Sequence, residues 1–383
     1  MSPSPDKPPA GEHGRRDEPR LFIGLMSGTS LDGVDAVLAS LAGSAPPVLL
    51  HAIHFAFPPA LRKELLALTH AGDNEIERAG RAANQLSRLY AEAVASLLGA
   101  GRIASEEVAA IGAHGQTVRH RPEAGFTLQL GAPALLAELT GIAVVADFRS
   151  RDVAAGGHGA PLVPAFHAAT FGAARPRAVV NIGGIANVSC LPARGTPTPV
   201  RGFDCGPGNL LLDAWIHRHQ GLALDRDGAW SSGGRVDEAL LERLLADPYF
   251  DQSPPKSTGR EHFNLGWLDA RLTGHELPQD VQATLVALTA ESIARAIVRW
   301  APESGEVLVC GGGARNAALM RALAARCGGR AVTSTEAHGI APEHVEGLAF
   351  AWLAHMHLEH RAGNLPEVTG ARGPRVLGAL YPA

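Results

Sequence analysis

The sequence predicts an α/β protein of two domains that face each other across a cleft. Three observations carry this expectation. Strand-like and helix-like segments alternate in both halves of the chain. Each half holds two apolar runs joined by a glycine-rich turn, Leu21–Leu38 and Ala178–Leu191. A third glycine cluster, Gly311-Gly312-Gly313, lies between a strand pattern and a helix pattern. A length of 383 residues suits two domains rather than one small core.

Taken in order, Leu21–Met26 and Val34–Leu38 read as a β-hairpin around the polar turn SGTSLDG. Val48–Phe57 is a third strand, which Pro58 and Pro59 break. Ala60–His70 and Asn74–Leu98 have helical spacing. In the second, Ile76, Ala79, Ala82, Leu86, Leu89 and Ala93 recur at steps of three and four. Ala109–His114 is a short strand, Ala132–Thr140 a helix and Ile142–Phe148 a strand, and a helix over Ala165–Phe171 begins after Pro164. The second strand–turn–strand unit bends at Gly183-Gly184. Val200–Asp204 is a strand entering Cys-Gly-Pro-Gly-Asn, and Leu210–His219, Val236–Ala246 and Val281–Trp300 are helices. Val307–Cys310 is a buried strand, Asn316–Cys327 a helix and Glu343–Leu358 the last long helix, after which Gly370–Ala383 reads as loop.

Composition narrows the function. Hydrophobic residues at 46% and charged residues at 19% fit a soluble, well-packed chain. A net charge of −4 gives no general drive toward nucleic acid or anionic membrane. No apolar run has the length of a membrane span. Residues 1–20, polar and Pro-rich without an apolar stretch, read as a disordered extension and not as a signal peptide. Cys190, Cys205, Cys310 and Cys327 form no CxxC pair, so neither zinc nor a disulfide framework is indicated and a cytoplasmic location is expected. His114/His120 and His158/His167 lack zinc-site spacing, and His355, His357 and His360 read as a solvated helix face.

The chemistry concentrates in the glycine turns. Gly28 and Gly33 let backbone N–H groups come close to phosphate oxygens, and Ser27, Thr29 and Ser30 are hydroxyl donors. Asp32 and Asp35 are the candidate Mg²⁺ carboxylates, direct or through water, with a hydrogen bond inside the hairpin as the alternative role of Asp35. The whole tip, Gly28, Thr29, Ser30, Leu31, Asp32, Gly33, Val34 and Asp35, is a candidate nucleotide contact. So are Gly183, Gly184 and Asn187 in the second turn and Gly311, Gly312, Gly313 and Asn316 in the third element. Each alone also fits an ordinary turn. A Rossmann G-x-G-x-x-G after the first strand, a Walker loop and the protein-kinase motifs are absent. Three such elements across two α/β halves point to the actin, hexokinase and heat-shock-chaperone (ASKHA) fold, with a nucleotide cleft between domains.

Eight segments then carry a closer resemblance: MSGTSLDGVD (Met26–Asp35), HGQT (His114–Thr117), ADFRSRDVAAGGHGAPLVP (Ala146–Pro164), NIGGIANVS (Asn181–Ser189), FDCGPGN (Phe203–Asn209), DGAWSSGG (Asp227–Gly234), PKSTGRE (Pro255–Glu261) and VCGGGARN (Val309–Asn316). In these, and in their order over the chain after residue 20, the sequence resembles the anhydro-N-acetylmuramic acid kinases. The resemblance implies ATP and Mg²⁺ as cofactors, a homodimer, and a role in cell-wall recycling. It implies that 1,6-anhydro-N-acetylmuramic acid is opened by water at C1 while O6 takes the γ-phosphate, giving N-acetylmuramic acid 6-phosphate. The expected division is residues 21–148 plus about 366–383 in one domain and 149–365 in the other.

Water attacking an anomeric carbon needs a general base. Asp204, at a strand end before Gly206-Pro207-Gly208, is the candidate, and the family's catalytic aspartate falls in this same motif. An Asx-turn or helix cap is its structural alternative. Asp147 and Arg149 line the sugar side or form an ion pair at a domain junction, and Asp152 and Asp227 are further carboxylates near signature turns. His114 and Gln116 recognise sugar hydroxyls or the lactyl carboxylate, or serve strand-end structure. Gly156–Ala160 reads as a loop shaped for close approach, with His158 a hydrogen-bonding residue in it. Lys256 contacts phosphate or the substrate carboxylate, or is a solvated loop lysine. Ala132–Thr140 and the last helix are the candidate dimer contacts. Two other readings fit the fold: an ordinary sugar hydroxyl kinase, and an ATP-driven binding switch.

Overall fold

The computed structural model describes residues 18–28 and 31–383. Most of the expected N-terminal extension, residues 1–17, lies outside the described residues, and so do Thr29 and Ser30.

Two sheets organise the chain. The first has six strands in the order Ala379–Tyr381, Val144–Ala146, Val108–Ala113, Arg20–Met26, Gly33–Leu41, Val48–Ala56. Arg20–Met26 pairs antiparallel with Gly33–Leu41 and parallel with Val108–Ala113. With neighbours on both edges and both faces covered, its last five residues are all buried, hence the unbroken apolar run. The second sheet has five strands in the order Arg201–Pro207, Ile185–Leu191, Arg177–Ile182, Glu306–Cys310, Ala331–Ser334. The two glycine-tipped hairpins expected from sequence are both present, one in each sheet.

Helices form three layers around these sheets. Pro59–Ala67, Glu75–Gly101 and Pro133–Thr140 bury apolar faces with Ile23, Leu25, Val34 and Ala36 of the first sheet. Asn209–Gln220, Glu238–Leu245, Pro278–Trp300 and Ala317–Arg326 cover the second sheet around Val180, Ile182, Val188 and Val309. Val163–Phe171 and Val345–Leu358 share one core with Phe22, Val37 and Ala110 of the first sheet and Val179, Leu308 and Cys310 of the second. The last helix therefore lies between the sheets. Its residues Gly347–Met356 are all buried, so it has no face to offer a second subunit. The sheet admits it closely because Gly24 and Gly112 lack side chains: a Cβ at either would strike a carbonyl of the helix, that of Gly347 or of Phe350.

Several expectations need correction. The tail is not all loop, since Ala379–Tyr381 adds an edge strand antiparallel to Val144–Ala146. Gln116–Arg121 and Phe126–Leu130 form an additional hairpin, turned at Pro122–Gly125. The strand expected at Ile142–Phe148 keeps only Val144–Ala146, because Asp147 turns out of it with φ of 56°. His355 is buried against Phe22 and within reach of the Gly43 carbonyl, so this is no solvated histidine face. Pro278–Trp300 is long and apolar enough to cross a bilayer, but 83% of its most apolar window is buried in the core.

Candidate active site

The glycine elements of the second sheet converge by direct packing. The Gly208 and Leu210 N–H groups donate to the Gly184 carbonyl at 2.9 and 3.1 Å, and the Asn209 N–H donates to that of Gly183 at 2.8 Å. The Asn209 side chain donates to the Ile182 carbonyl at 3.1 Å. Gly311, at φ of 77°, lies so close that a Cβ would collide with the Asn181 side chain. Phe203–Asn209, Asn181–Asn187 and Gly311–Asn316 are thus one packed unit. Within it Gly183 has no close neighbour to exclude a Cβ beyond ordinary contact, and Gly312 is exposed, so these two present bare backbone outward. Asn316 serves its own helix, accepting the Leu319 N–H at 3.0 Å.

The first hairpin tip is held from behind. The Ser27 hydroxyl lies 2.8 Å from the Tyr90 hydroxyl and donates to the Gly115 carbonyl at 2.9 Å. The Gly28 carbonyl accepts the Leu31 N–H and the Gln116 amide. Leu31, buried with φ of 56°, offers its carbonyl to Arg62 at 2.8 Å. Gly33 and Val34 are buried in the strand. The Asp32 carbonyl accepts the Phe57 N–H, and its side chain is at the surface. The Asp35 carboxylate lies 2.8 Å from Nδ1 of His54, which belongs to the neighbouring strand Val48–Ala56 and not to the hairpin itself.

Asp204 sits where the edge strand bulges, between its pairing with Asn187 and that of Gly206 with Ala186. Its backbone N–H reaches the Lys256 carbonyl at 3.3 Å, and its own carbonyl accepts the Tyr249 hydroxyl at 2.7 Å. Its Oδ2 accepts the Thr258 N–H at 3.0 Å. The helix that follows is capped by Gly208, so Asp204 is not its N-cap. Burial pushes the Asp204 carboxyl up to about 7, with Glu261 adding to this and the Thr258 N–H, Lys256 and Arg149 pulling against it.

Arg149, whose charge acts on this carboxylate, bonds toward the first hairpin. Its Nε and one terminal nitrogen donate to His114 Nε2 at 3.1 and 2.9 Å, and the other donates to the Gly159 carbonyl at 2.8 Å. His114 Nδ1 faces the Ser27 carbonyl at 3.3 Å. Burial, then Arg149, pushes His114 down to about 3, so the ring is neutral and accepts from the guanidinium through Nε2. Both ring nitrogens are therefore engaged within the protein. Asp147 is exposed. The buried Asp152 carboxylate accepts from Gly159 N–H, Asn364 and Thr369 at 2.7–2.8 Å, tying the Gly156–Ala160 loop to the C-terminal segment. Asp227 is exposed, and the structural acid beside it is Asp225, which accepts the Trp230 and Ser231 N–H groups at 2.8 and 2.9 Å.

Among the described residues, four side-chain atoms around these elements are buried without a hydrogen-bond partner: Gln116 Oε1, Asn181 Oδ1, Asn187 Oδ1 and Thr258 Oγ1. Such groups are costly unless something polar meets them. Two acids missed from sequence also belong here. Glu346, in the first turn of the last helix, accepts from the Asn181 amide at 3.1 Å. Burial pushes it up, and Asp35 and Asp32 add to this. Asp213 is pushed up to about 7 by burial, with Arg260 opposing and Asp32 adding. A lone acid opening the apolar run VEGLAFAW was the available signal for Glu346. Among the described residues no three metal-ligating side chains cluster tightly enough to enclose an ion. The mutual repulsion of Asp32, Asp35, Glu346 and Asp213 suits a cation carried with phosphate and its water shell.

Comparison with known proteins gives a consistent result. The family model described as anhydro-N-acetylmuramic acid kinase matches residues 20–383. The chain is 56% identical over 371 residues to a Cupriavidus metallidurans protein named anhydro-N-acetylmuramic acid kinase, covering 94% of this chain and 97% of that one. It is 57% identical over 366 residues to a protein of the same name from Pseudomonas paraeruginosa, covering 94% and 99%. Among solved structures, the activator of 2-hydroxyisocaproyl-CoA dehydratase from Clostridium difficile with bound ADPNP matches with TM-score 0.46 at 13% identity, over 88% of this chain and 96% of that one.

Proposed function

This chain belongs to the anhydro-N-acetylmuramic acid kinase family, and we propose that its cleft couples hydrolytic opening of the anhydro ring to phosphorylation of O6. Water adds to C1 of 1,6-anhydro-N-acetylmuramic acid and gives a proton to the Asp204 carboxylate. The C1–O6 bond breaks. O6 bonds to the γ-phosphorus of ATP, the bond from that phosphorus to the β,γ-bridging oxygen breaks, and ADP leaves with N-acetylmuramic acid 6-phosphate. The phosphoryl group traps O6, so one carboxylate suffices where a glycosidase uses an acid and a base.

The observation that carries this reading is the Asp204 carboxyl: pinned by Thr258, in the field of Arg149, and raised to about 7, where a general base works best. The unpartnered Asn187 and Thr258 atoms support a polar ligand beside it. The bare backbone at Gly183 and Gly312 supports ATP phosphates and nucleoside there. Asp32 and Asp35 would hold Mg²⁺ through its water shell, where it would neutralise phosphate charge. The bonding of His114 supports a role in holding Arg149 toward the sugar, rather than in direct sugar contact. Domain limits at residues 21–148 plus about 366–383 and at 149–365, a homodimer and a cytoplasmic place in cell-wall recycling belong to the same proposal.

Two assays test it. ADP release must depend on the anhydrosugar, and reaction in oxygen-18 water must label C1 of the product. An ordinary hydroxyl kinase leaves C1 unlabelled, and an ATP-driven switch releases ADP without sugar. Asp204→Asn should bind ATP and anhydrosugar as wild type does and lose about 10²- to 10⁴-fold in kcat, the usual worth of a general base. A variant that keeps wild-type turnover removes Asp204 from the role.

A further inference from the structure

Lys256 does not reach into open solvent, and its bonds leave it poorly placed for phosphate. Its Nζ donates to the Tyr249 carbonyl at 2.9 Å and reaches that of Phe250 at 3.4 Å. It also lies 4.5 Å from the centre of the Tyr249 ring and 6.0 Å from that of Phe203, the residue before Asp204. The two segments it staples are the two that grip Asp204. One supplies the Tyr249 hydroxyl to the Asp204 carbonyl, and the other supplies the Lys256 carbonyl to the Asp204 N–H and the Thr258 N–H to its carboxylate.

We propose that Lys256 is a positioning residue for Asp204: its ammonium locks Pro248–Asp251 to Pro255–Thr258, and so fixes the carboxylate and keeps a positive charge beside it. This rests on the reading of Asp204 as the base. The charged and titratable groups in the field of Asp204 are Glu261 and Lys256 from the loop, Arg149 from the neighbouring segment, and Tyr249 and Cys205. Of the two cations, Lys256 is the one on the gripping loop. Without it, Glu261 and burial act on the carboxyl with only Arg149 and a less firmly held Thr258 N–H opposing, and the base gains its active, ionised form at higher pH.

The test is the pH dependence of kcat/KM for the anhydrosugar in wild type, K256M and K256R. In K256M the acid limb should move up by about one unit, an activity loss of about tenfold below the limb that fades above it. KM for ATP should not change. K256R, which keeps charge and donors, should restore the limb. An acid limb in K256M superimposable on that of wild type, or a loss equal at every pH, overturns the proposal. K256Q, shorter and neutral, must repeat K256M and serves in its place if that variant is insoluble. Should wild type fail to turn over the anhydrosugar, the proposed function fails while Lys256 is still tested. The Asp204 carboxyl carbon, identified in carbon-13 aspartate-labelled protein by its absence from D204N, must then titrate at higher pH without the lysine, and an unchanged titration overturns the proposal.

Discussion

A carboxyl that accepts protons near neutrality is held in the fold at a cost to stability. Asp204 titrates near 7 in the folded chain against an ordinary 3.8, chiefly through burial. The folded state therefore binds this proton more tightly than the unfolded chain. Its contribution to stability is complete below pH 3.8 and is lost as pH rises through about 7. Asparagine keeps the acceptor for Thr258 and carries no charge. D204N should thus melt higher than wild type at pH 8, by roughly 1–3 °C, and the difference should vanish near pH 4 in paired calorimetric scans. Asp204 was legible in sequence as a candidate base through its place at a strand end before Gly-Pro-Gly and the family motif that holds it, with an Asx-turn or helix cap as the alternative. What surrounds it was not. Tyr249, Thr258 and Lys256 lie 45, 54 and 52 positions away, and only the folded loop brings them to it. Asn316, a candidate nucleotide contact in a glycine-rich signature, has a duty that the sequence did not announce: its side-chain oxygen caps the next helix.

At the scale of elements, periodicity was readable where an element is long and one-sided, as in Glu75–Gly101, whose buried positions fall at helical steps. It failed for short or charged strands. Gln116–Arg121 carries two arginines and a histidine, and Ala331–Ser334 is half-buried along most of its four residues, so neither shows an apolar rhythm. The glycines were visible but their duties were mixed. Gly24 and Gly112 are not ligand glycines, for they let the backbone of Val345–Leu358 lie directly on the sheet. Alanine at Gly112 would force the helix off its seat, because the obstacle is the Phe350 carbonyl and cannot rotate away. The expected loss is about 1–3 kcal/mol, the usual cost of overpacking a core, measured by urea denaturation. Alanine at Gly125, whose added Cβ meets nothing, should cost less despite its φ of 77°.

The whole molecule is more unified than two halves joined at a cleft. Sequence reading finds one glycine-tipped hairpin for each sheet, but it cannot tell that one apolar helix serves both. Val345–Leu358 is apolar nearly all round, as a helix with no solvent face must be. Together with Val163–Phe171 it fills a core to which Phe22 and Val37 of one sheet and Val179 and Leu308 of the other all contribute. Neither sheet can keep its inner face buried if this layer is lost. Unfolding should follow the same logic. Differential scanning calorimetry of the unliganded chain should give one transition whose calorimetric and van't Hoff enthalpies agree. Truncating Phe350, wholly buried in the shared core and tilted against Phe148 and His114, should lower that single transition by about 3–5 kcal/mol of stability without splitting it. Two separate transitions in the wild type would mean that each sheet holds its fold without the helices between them.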